Sequence, residues 1–228
     1  MTLKEIYKLP DGSNVTLLFT PSFYDDKENF PCPSSMRKAF NGYSGYSIPM
    51  LDTSNVTDMY YMFSDCINLL GFNAENWDVS KVTNMGYMFY GSGKLKTLDL
   101  STWDTSNVTN MDYAFNCNNL VSLSAIKSDS LLLSSSAKPF GTSNNTKLVD
   151  FGGFINLKSS WNGSYCADKL TALSHQSLIN ILNGLYDFTG NGEVPTSAQG
   201  KIKLGTTHLA KLSDDEKAIA TSRGWVLS

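Results

Sequence analysis

Leu51-Asp52-Thr53-Ser54-Asn55-Val56-Thr57-Asp58-Met59-Tyr60-Tyr61-Met62-Phe63 is a phrase that the chain writes three times. It recurs as Trp77-Asp78-Val79-Ser80-Lys81-Val82-Thr83-Asn84-Met85-Gly86-Tyr87-Met88-Phe89, and again from Trp103 through Val108, Thr109, Met111, Tyr113 and Phe115. The step from Leu51 to Trp77 to Trp103 is 26 residues each time. A period between about 20 and 50 residues marks stacked units rather than one wound core.

Each unit has two halves with different spacing. Val82, Met85, Met88 and Phe89 are spaced three, three and one, which at about 100° per residue predicts one face of a short helix. Leu95, Leu98 and Leu100 then read L-x-x-L-x-L, whose last part alternates as a strand does. Leu69, Phe72 and Ala74, and Leu120, Leu123 and Ala125, repeat it. The fold expected is α/β: a short leucine-rich-repeat-like right-handed solenoid, with a parallel sheet on one wall, helices on the other, an N-terminal β-hairpin and a helical C-terminal cap. One unit alone has too few apolar side chains to offset the ordering of its own backbone, so neighbours must cover each other.

Outward from the repeats, three segments are expected: 1–32 as an N-terminal hairpin arm or cap, 33–172 as the repeat array, and 173–228 as a C-terminal capping segment. In the first, Leu3, Ile6 and Leu9 and then Val15, Leu17, Leu18 and Phe19 flank Pro10-Asp11-Gly12-Ser13, a turn signal. Met36 and Phe40 stand where a degenerate first copy places its Met and Phe, with Tyr46 to Met50 in the strand position. After Ile126 the pattern loosens: Leu131 to Leu133, Pro139-Phe140, Leu148, Phe151 and Phe154 make one more unit, and Phe154, Leu157 and Trp161 begin another. Ser174 caps a helix with Leu178, Ile181, Leu182 and Leu185 on one face, Ile202 to Leu204 form a strand, and Ser213-Asp214-Asp215-Glu216 is a capping box for a last helix that Gly224 closes.

A net charge of −3 offers no basic face for nucleic acid. No apolar run is long enough for a membrane-spanning helix, and the charged, alternating N-terminus does not read as a secretion signal. Of the four cysteines, Cys66 and Cys117 sit two copies apart, roughly 9 to 10 Å, beyond the reach of a disulfide at about 7 Å. They read as buried small groups; with no close Cys or His pair, no metal or cofactor is expected.

The run Val82-Thr83-Asn84-Met85-Gly86-Tyr87-Met88-Phe89-Tyr90-Gly91, followed by Leu95-Lys96-Thr97-Leu98-Asp99-Leu100-Ser101 and Trp103-Asp104-Thr105-Ser106, closely resembles the BspA-like leucine-rich repeats of bacterial surface proteins. The ending, from Leu173-Ser174-His175-Gln176-Ser177-Leu178 to Gly224-Trp225, resembles the closing segment of such proteins in gut bacteria and their phages. The resemblance implies a binding scaffold on a virion or at the extracellular or cell surface, with no catalytic residues to carry over. With no secretion signal in the chain as numbered, the leading expectation is a bacteriophage virion component, on a tail fibre or head appendage. It would bind a protein or cell-surface glycan, or other virion proteins. A bacterial cell-surface adhesin is the alternative, and a glycan-degrading enzyme ranks third. The apolar hairpin suggests homo-oligomerisation through the N-terminal arm.

His175 and His208 are the only histidines and pair with no serine or cysteine in a triad pattern, one in a first helical turn and the other in a loop. Asp214, Asp215 and Glu216 are explained by the start of a helix. Asp187 to Glu193 lacks the alternating acids of a calcium loop, and the Asn-x-Thr triplets at Asn14, Asn55 and Asn107 read as polar groups that start helices. Two ladders remain as candidate binding surfaces. Tyr61, Tyr87 and Tyr113 should point outward in a row about 5 Å apart, able either to meet sugars or proteins or to lean on one another. On the sheet wall the outward positions include Asn73, Thr97, Asp99, Ser122, Ser124 and Asp150. Trp77 and Trp103 are expected in the core.

Overall fold

The computed structural model describes residues 3–8, 14–19, 30–46, 48, 51–127, 138–141, 147–157, 170–196 and 200–228, with 3–8, 14–19 and 30–31 described by backbone alone. The Pro10 to Ser13 turn, Leu131 to Leu133, Trp161 and Cys166 lie outside these residues, as does most of the segment from Tyr46 to Met50.

The segment Met85-Gly86-Tyr87-Met88-Phe89 does not wind into a helix. Its amides alternate in direction: Met85, Tyr87 and Phe89 donate to the carbonyls of Asn110, Asp112 and Ala114 in the next copy, at 2.8, 2.7 and 2.9 Å. Met88 and Tyr90 donate back to Met85 and Tyr87, both at 3.2 Å. None takes the carbonyl four residues earlier that a helix requires. Two fused turns result, with Tyr87 at φ 58°, the left-handed value that a type II turn needs at its third residue.

The same pattern holds in the other copies. Met59, Tyr61 and Phe63 donate to Asn84, Gly86 and Met88. Met36, Lys38 and Phe40 donate to Asp58, Tyr60 and Met62, which brings the degenerate first copy into line. Lys38, Tyr61 and Tyr113 repeat the positive φ at 59°, 58° and 55°.

The expected α/β solenoid is therefore corrected. Among the described residues the repeats contain no helix, the strands between them are two residues long and lie in small parallel sheets, and most of the chain is irregular. Two fused turns bury residues at the same spacing of three, three and one as a helix face, so periodicity alone did not separate them.

Short side chains carry much of the order between copies. Thr57, Thr83 and Thr109 donate both backbone N–H and hydroxyl to the carbonyl of Ser34, Thr57 and Thr83 respectively, and single parallel bridges join Ser35, Asp58, Asn84 and Asn110 in sequence. Asp52, Asp78 and Asp104 accept the amide two residues on, from Ser54, Ser80 and Ser106; Asp58, Asn84 and Asn110 do the same for Tyr60, Gly86 and Asp112. These Asx turns, not helix caps, explain the Asp, Asn, Ser and Thr of the repeat.

Opposite the fused turns, β5 (Thr97–Leu98), β6 (Ser122–Leu123) and β8 (Asp150–Phe151) pair in parallel, with Thr97 beside Ser122 and Ser122 beside Asp150. β7 (Ile126–Lys127) pairs with β9 (Phe154–Ile155), and β3 (Phe30–Pro31) with β4 (Leu51–Asp52). Toward the N-terminus, β1 (Leu3–Lys8) and β2 (Asn14–Phe19) pair antiparallel.

One apolar core runs from Met36 to Trp225. Within it Phe63 stacks between Phe40 and Phe89, at centroid distances of 5.3 and 5.6 Å. Trp77 and Trp103 stack at 6.1 Å, both buried, with Phe72 edge-on to each.

The C-terminal segment holds the described helices: α1 (His175–Asn183), α2 (Thr206–Leu209) and α3 (Asp214–Ser222), with β10 (Lys201–Ile202) parallel to β11 (Val226–Leu227). Ser174 caps α1, and Ser213 with Glu216 forms the capping box of α3. Glu216 also lies 2.9 Å from Nε2 of His175, tying the starts of the two helices together. His208 is buried within α2 rather than placed on a loop.

Candidate recognition surfaces

The left-handed turn residue sets the first surface. A positive φ at Tyr61, Tyr87 and Tyr113 throws each side chain off the apolar face, and identical turns one copy apart bring the rings into a column. Tyr61 and Tyr87 stack at 4.5 Å with planes 4° apart; Tyr87 and Tyr113 stack at 4.8 Å and 8°. At the near end of the column Lys38, on the same left-handed turn position, holds its ammonium 5.6 Å from the Tyr61 ring.

Two more tyrosines flank the column. Tyr60 sits edge-on to Tyr61 at 4.5 Å, and Tyr90 leans on Tyr87 at 5.5 Å. The Arg37 guanidinium lies 4.0 Å above Tyr60. Gly86 makes room for this: a side-chain carbon there would come within 3.0 Å of the Tyr60 ring and 2.8 Å of the Asn110 amide. Tyr60 and Tyr90 were not among the candidates read from sequence, because their positions do not repeat as tyrosine in the other copies; a ring beside a glycine one copy on was the available signal.

All five tyrosines are half-buried. Burial, with the neighbouring phenols of Tyr60 and Tyr87, pushes the Tyr61 hydroxyl up to about 12. Burial and the Tyr113 phenol raise that of Tyr87 as well. Both faces of the Tyr87 ring are thus taken up within the column, and the hydroxyls of Tyr61 and Tyr87 are held in their neutral form.

The second surface lies over β5, β6 and β8. Of the residues proposed there, Asn73 and Asp99 are engaged in Asx turns, accepting the amides of Glu75 and Ser101 at 3.0 Å each. Ser124 accepts the Leu100 amide at 2.7 Å. Hydrogen bonds to Ser101 also hold the Asp99 carboxyl below the usual range. Thr97, Ser122 and Asp150 make no side-chain hydrogen bond or ion pair among the described residues and stand in one row. Where α1 rises beside β8, a groove of about 260 Å3 opens, lined by residues that include Ser122, Asp150, Ser174, Gln176 and Asn180.

The remaining polar groups belong to the framework. Cys66, Ser92 and Cys117 occupy equivalent places and donate to the carbonyls of Phe40, Phe63 and Phe89, at 3.1, 2.7 and 3.0 Å. Burial pushes the Cys66 thiol up to about 12 and raises that of Cys117 further. Among the described residues Cys66 and Cys117 are free thiols. Asp187 accepts the Gly190 amide in a local turn, and Tyr186 donates to Glu193 at 2.7 Å. Among the described residues no cluster of three or more metal-ligating side chains occurs, and no helix is long and apolar enough to cross a membrane.

Residues 34–130, less than half of the chain, match the family described as Mycoplasma protein of unknown function, DUF285, a family of BspA-like surface repeats. The match spans the degenerate copy and the three full ones. No curated protein and no solved structure matches the chain.

Proposed function

We propose that the chain is a non-enzymatic recognition module whose contact surface is the tyrosine wall. In this reading it is carried on a bacteriophage particle, in a tail fibre or head appendage, and meets a host-surface ligand or another virion protein. The observation that carries the reading is the backbone beneath the wall. A left-handed conformation suits Gly or Asn, yet three successive copies hold Tyr there, and strain repeated in register at a half-buried surface position points to a function for the side chain. Tyrosines with neutral hydroxyls are effective contacts for proteins and glycans alike.

A bacterial surface adhesin is the second reading, favoured by the match of residues 34–130 to a family of surface repeats. Against a glycan-degrading enzyme, which needs two carboxylates across a cleft, the groove beside α1 offers Asp150 alone.

Two measurements test the proposal. Binding of the isolated protein to immobilised bacterial envelopes should fall sharply when Tyr61, Tyr87 and Tyr113 are all changed to Phe, which keeps the ring stack and removes the hydroxyls. Undiminished binding by that variant would exclude the wall as the contact. Mass spectrometry of purified phage particles should find the chain; its presence only in bacterial envelopes would favour the adhesin.

A further inference from the structure

We infer that the groove between β6, β8 and α1 is a second binding site, separate from the tyrosine wall, for one residue of a neutral saccharide. Its floor carries the Ser122 hydroxyl and the Asp150 carboxylate, adjacent in the parallel register and engaged in no hydrogen bond among the described residues. Its wall brings Gln176, which donates to Asn180 at 3.0 Å, while the Asn180 amide donates to the Phe151 carbonyl. A carboxylate that accepts, a hydroxyl that does both and a carboxamide form the donor and acceptor set that vicinal hydroxyls require.

Leu123, Phe151 and Gly152 complete the lining beside these polar groups. A pyranose is amphipathic in the same way, with hydroxyls at its edge and a C–H face.

Other ligand classes fit less well. An extended peptide would need open backbone donors, but the amides of Ser122, Ser124, Asp150 and Gly152 all donate to the preceding copy, and Ser174 closes the row by donating to Val149. A divalent cation would find a single carboxylate. An anion would meet Asp150. The volume of about 260 Å3 lies just below the range of sites for larger ligands, consistent with one ring.

Saturation-transfer NMR on the full chain, with methyl glycosides of glucose, galactose, mannose and N-acetylglucosamine and the matching uronic acids, tests the site. At least one neutral glycoside should show transfer, and its uronic acid should bind more weakly. Asp150→Asn and Gln176→Ala, both at exposed positions, should each weaken binding about tenfold, the loss of one hydrogen bond to a charged or amide partner. Absence of transfer for every neutral glycoside, or binding by both variants as tight as the parent's, would overturn the assignment. So would a requirement for calcium. The triple Tyr-to-Phe variant should bind these glycosides as well as the parent does, so failure of the tyrosine wall and failure of the groove are read separately; loss of glycoside binding in that variant would also count against an independent groove.

Discussion

The rings of Tyr61 and Tyr87 lie 4.5 Å apart and within 4° of parallel, although each stands on backbone in the left-handed region at φ 58°. The stack offsets a backbone that would otherwise disfavour any residue with a Cβ by about 1 to 2 kcal/mol. Tyr87 has a stacked partner on both faces, so it is the residue at which the two terms separate most cleanly. Both Tyr87→Ala and Tyr87→Gly lose the two ring contacts, worth about 0.5 to 1.5 kcal/mol each. Only the glycine variant sheds the strain. Tyr87→Gly should therefore be more stable than Tyr87→Ala by about 1 kcal/mol, the reverse of the usual order. Urea denaturation decides it; an alanine variant at least as stable would mean that the left-handed turn costs nothing here.

The middle copy has Ser92 where its neighbours have Cys66 and Cys117, and all three donate to the carbonyl of the preceding phenylalanine. The position thus selects a small buried donor rather than a thiol. Ser92→Cys should be tolerated within about 1 kcal/mol, whereas Ser92→Ala leaves the Phe63 carbonyl without that donor and should cost about 1 to 3 kcal/mol. Thermal melts of the two variants check the difference. Equal losses would argue for volume, not hydrogen bonding, as the requirement.

Much of this was legible in the sequence and some was not, for identifiable reasons. The 26-residue register placed Val82, Met85, Phe89 and Leu98 in the core and Thr97 and Asp99 outside it. Spacing reports which residues face inward, and that survives a change of backbone. It does not report where the amides go, and here every second N–H leaves the copy for its neighbour, turning the expected helix into two turns. The signal that would have distinguished them is the run of Asp, Asn and Thr at fixed offsets, which in a helix would compete with its backbone and here forms Asx turns and inter-copy bonds. The tyrosine column came from an angular estimate on a helix that does not exist; the rings align because the turn repeats. The groove beside α1 depends on where the C-terminal segment packs, which no repeat period encodes.

Acid stability should depend on the Asx turns. Hydrogen bonds from Ser54, Ser80, Ser101 and Ser106 hold the carboxyls of Asp52, Asp78, Asp99 and Asp104 below their ordinary value of 3.8. A carboxyl depressed by folding stabilises the folded state above its unfolded pKa, and that contribution disappears as pH falls through the folded value. Stability should hold down to about pH 4 and decline below it. Asparagine serves the same turn at Asn73, Asn84 and Asn110. Replacing all four aspartates by Asn should therefore flatten the decline without abolishing the fold. A variant whose midpoint in urea falls with acid as steeply as the parent's would place the acid sensitivity elsewhere.

At the alkaline end the sign is opposite. Burial raises the Cys66 thiol from 9.0 to about 12, and burial with the nearby Asp52 raises Cys32 likewise. An acid whose folded pKa is raised contributes stability that is complete below the unfolded pKa and is lost as pH climbs toward the folded one. Stability should fall between about pH 9 and 12. Replacing Cys66 by Ser, which keeps a donor and does not ionise, should reduce that slope. In native protein at pH 8 a thiol reagent should leave Cys66 and Cys117 unlabelled until urea is added; prompt labelling would show that the copies open readily.

Arg223 ties the last helix to the first. One nitrogen of its guanidinium donates to the carbonyls of Leu182, Asn183 and Leu185, at 3.4, 2.8 and 3.0 Å, at the C-terminal end of α1 where unpaired carbonyls gather. A cation there also complements the helix dipole. Arg223 itself stands at the end of α3, and the next-but-one residue, Trp225, donates its indole N–H to the Tyr186 carbonyl at 2.8 Å. Arg223→Ala should loosen the contact between the two helices at a cost of about 1.5 to 3 kcal/mol. Arg223→Lys should recover only part of it, since an ammonium retains the charge without the planar fork. Hydrogen exchange gives the sharper readout: faster exchange confined to α1, α3 and Trp225, with the amides of Met85, Tyr87 and Phe89 as protected as before, is the expected result. Uniform loss of protection through the repeats would mean that the C-terminal segment and the copies unfold as one unit, with Arg223 supporting both.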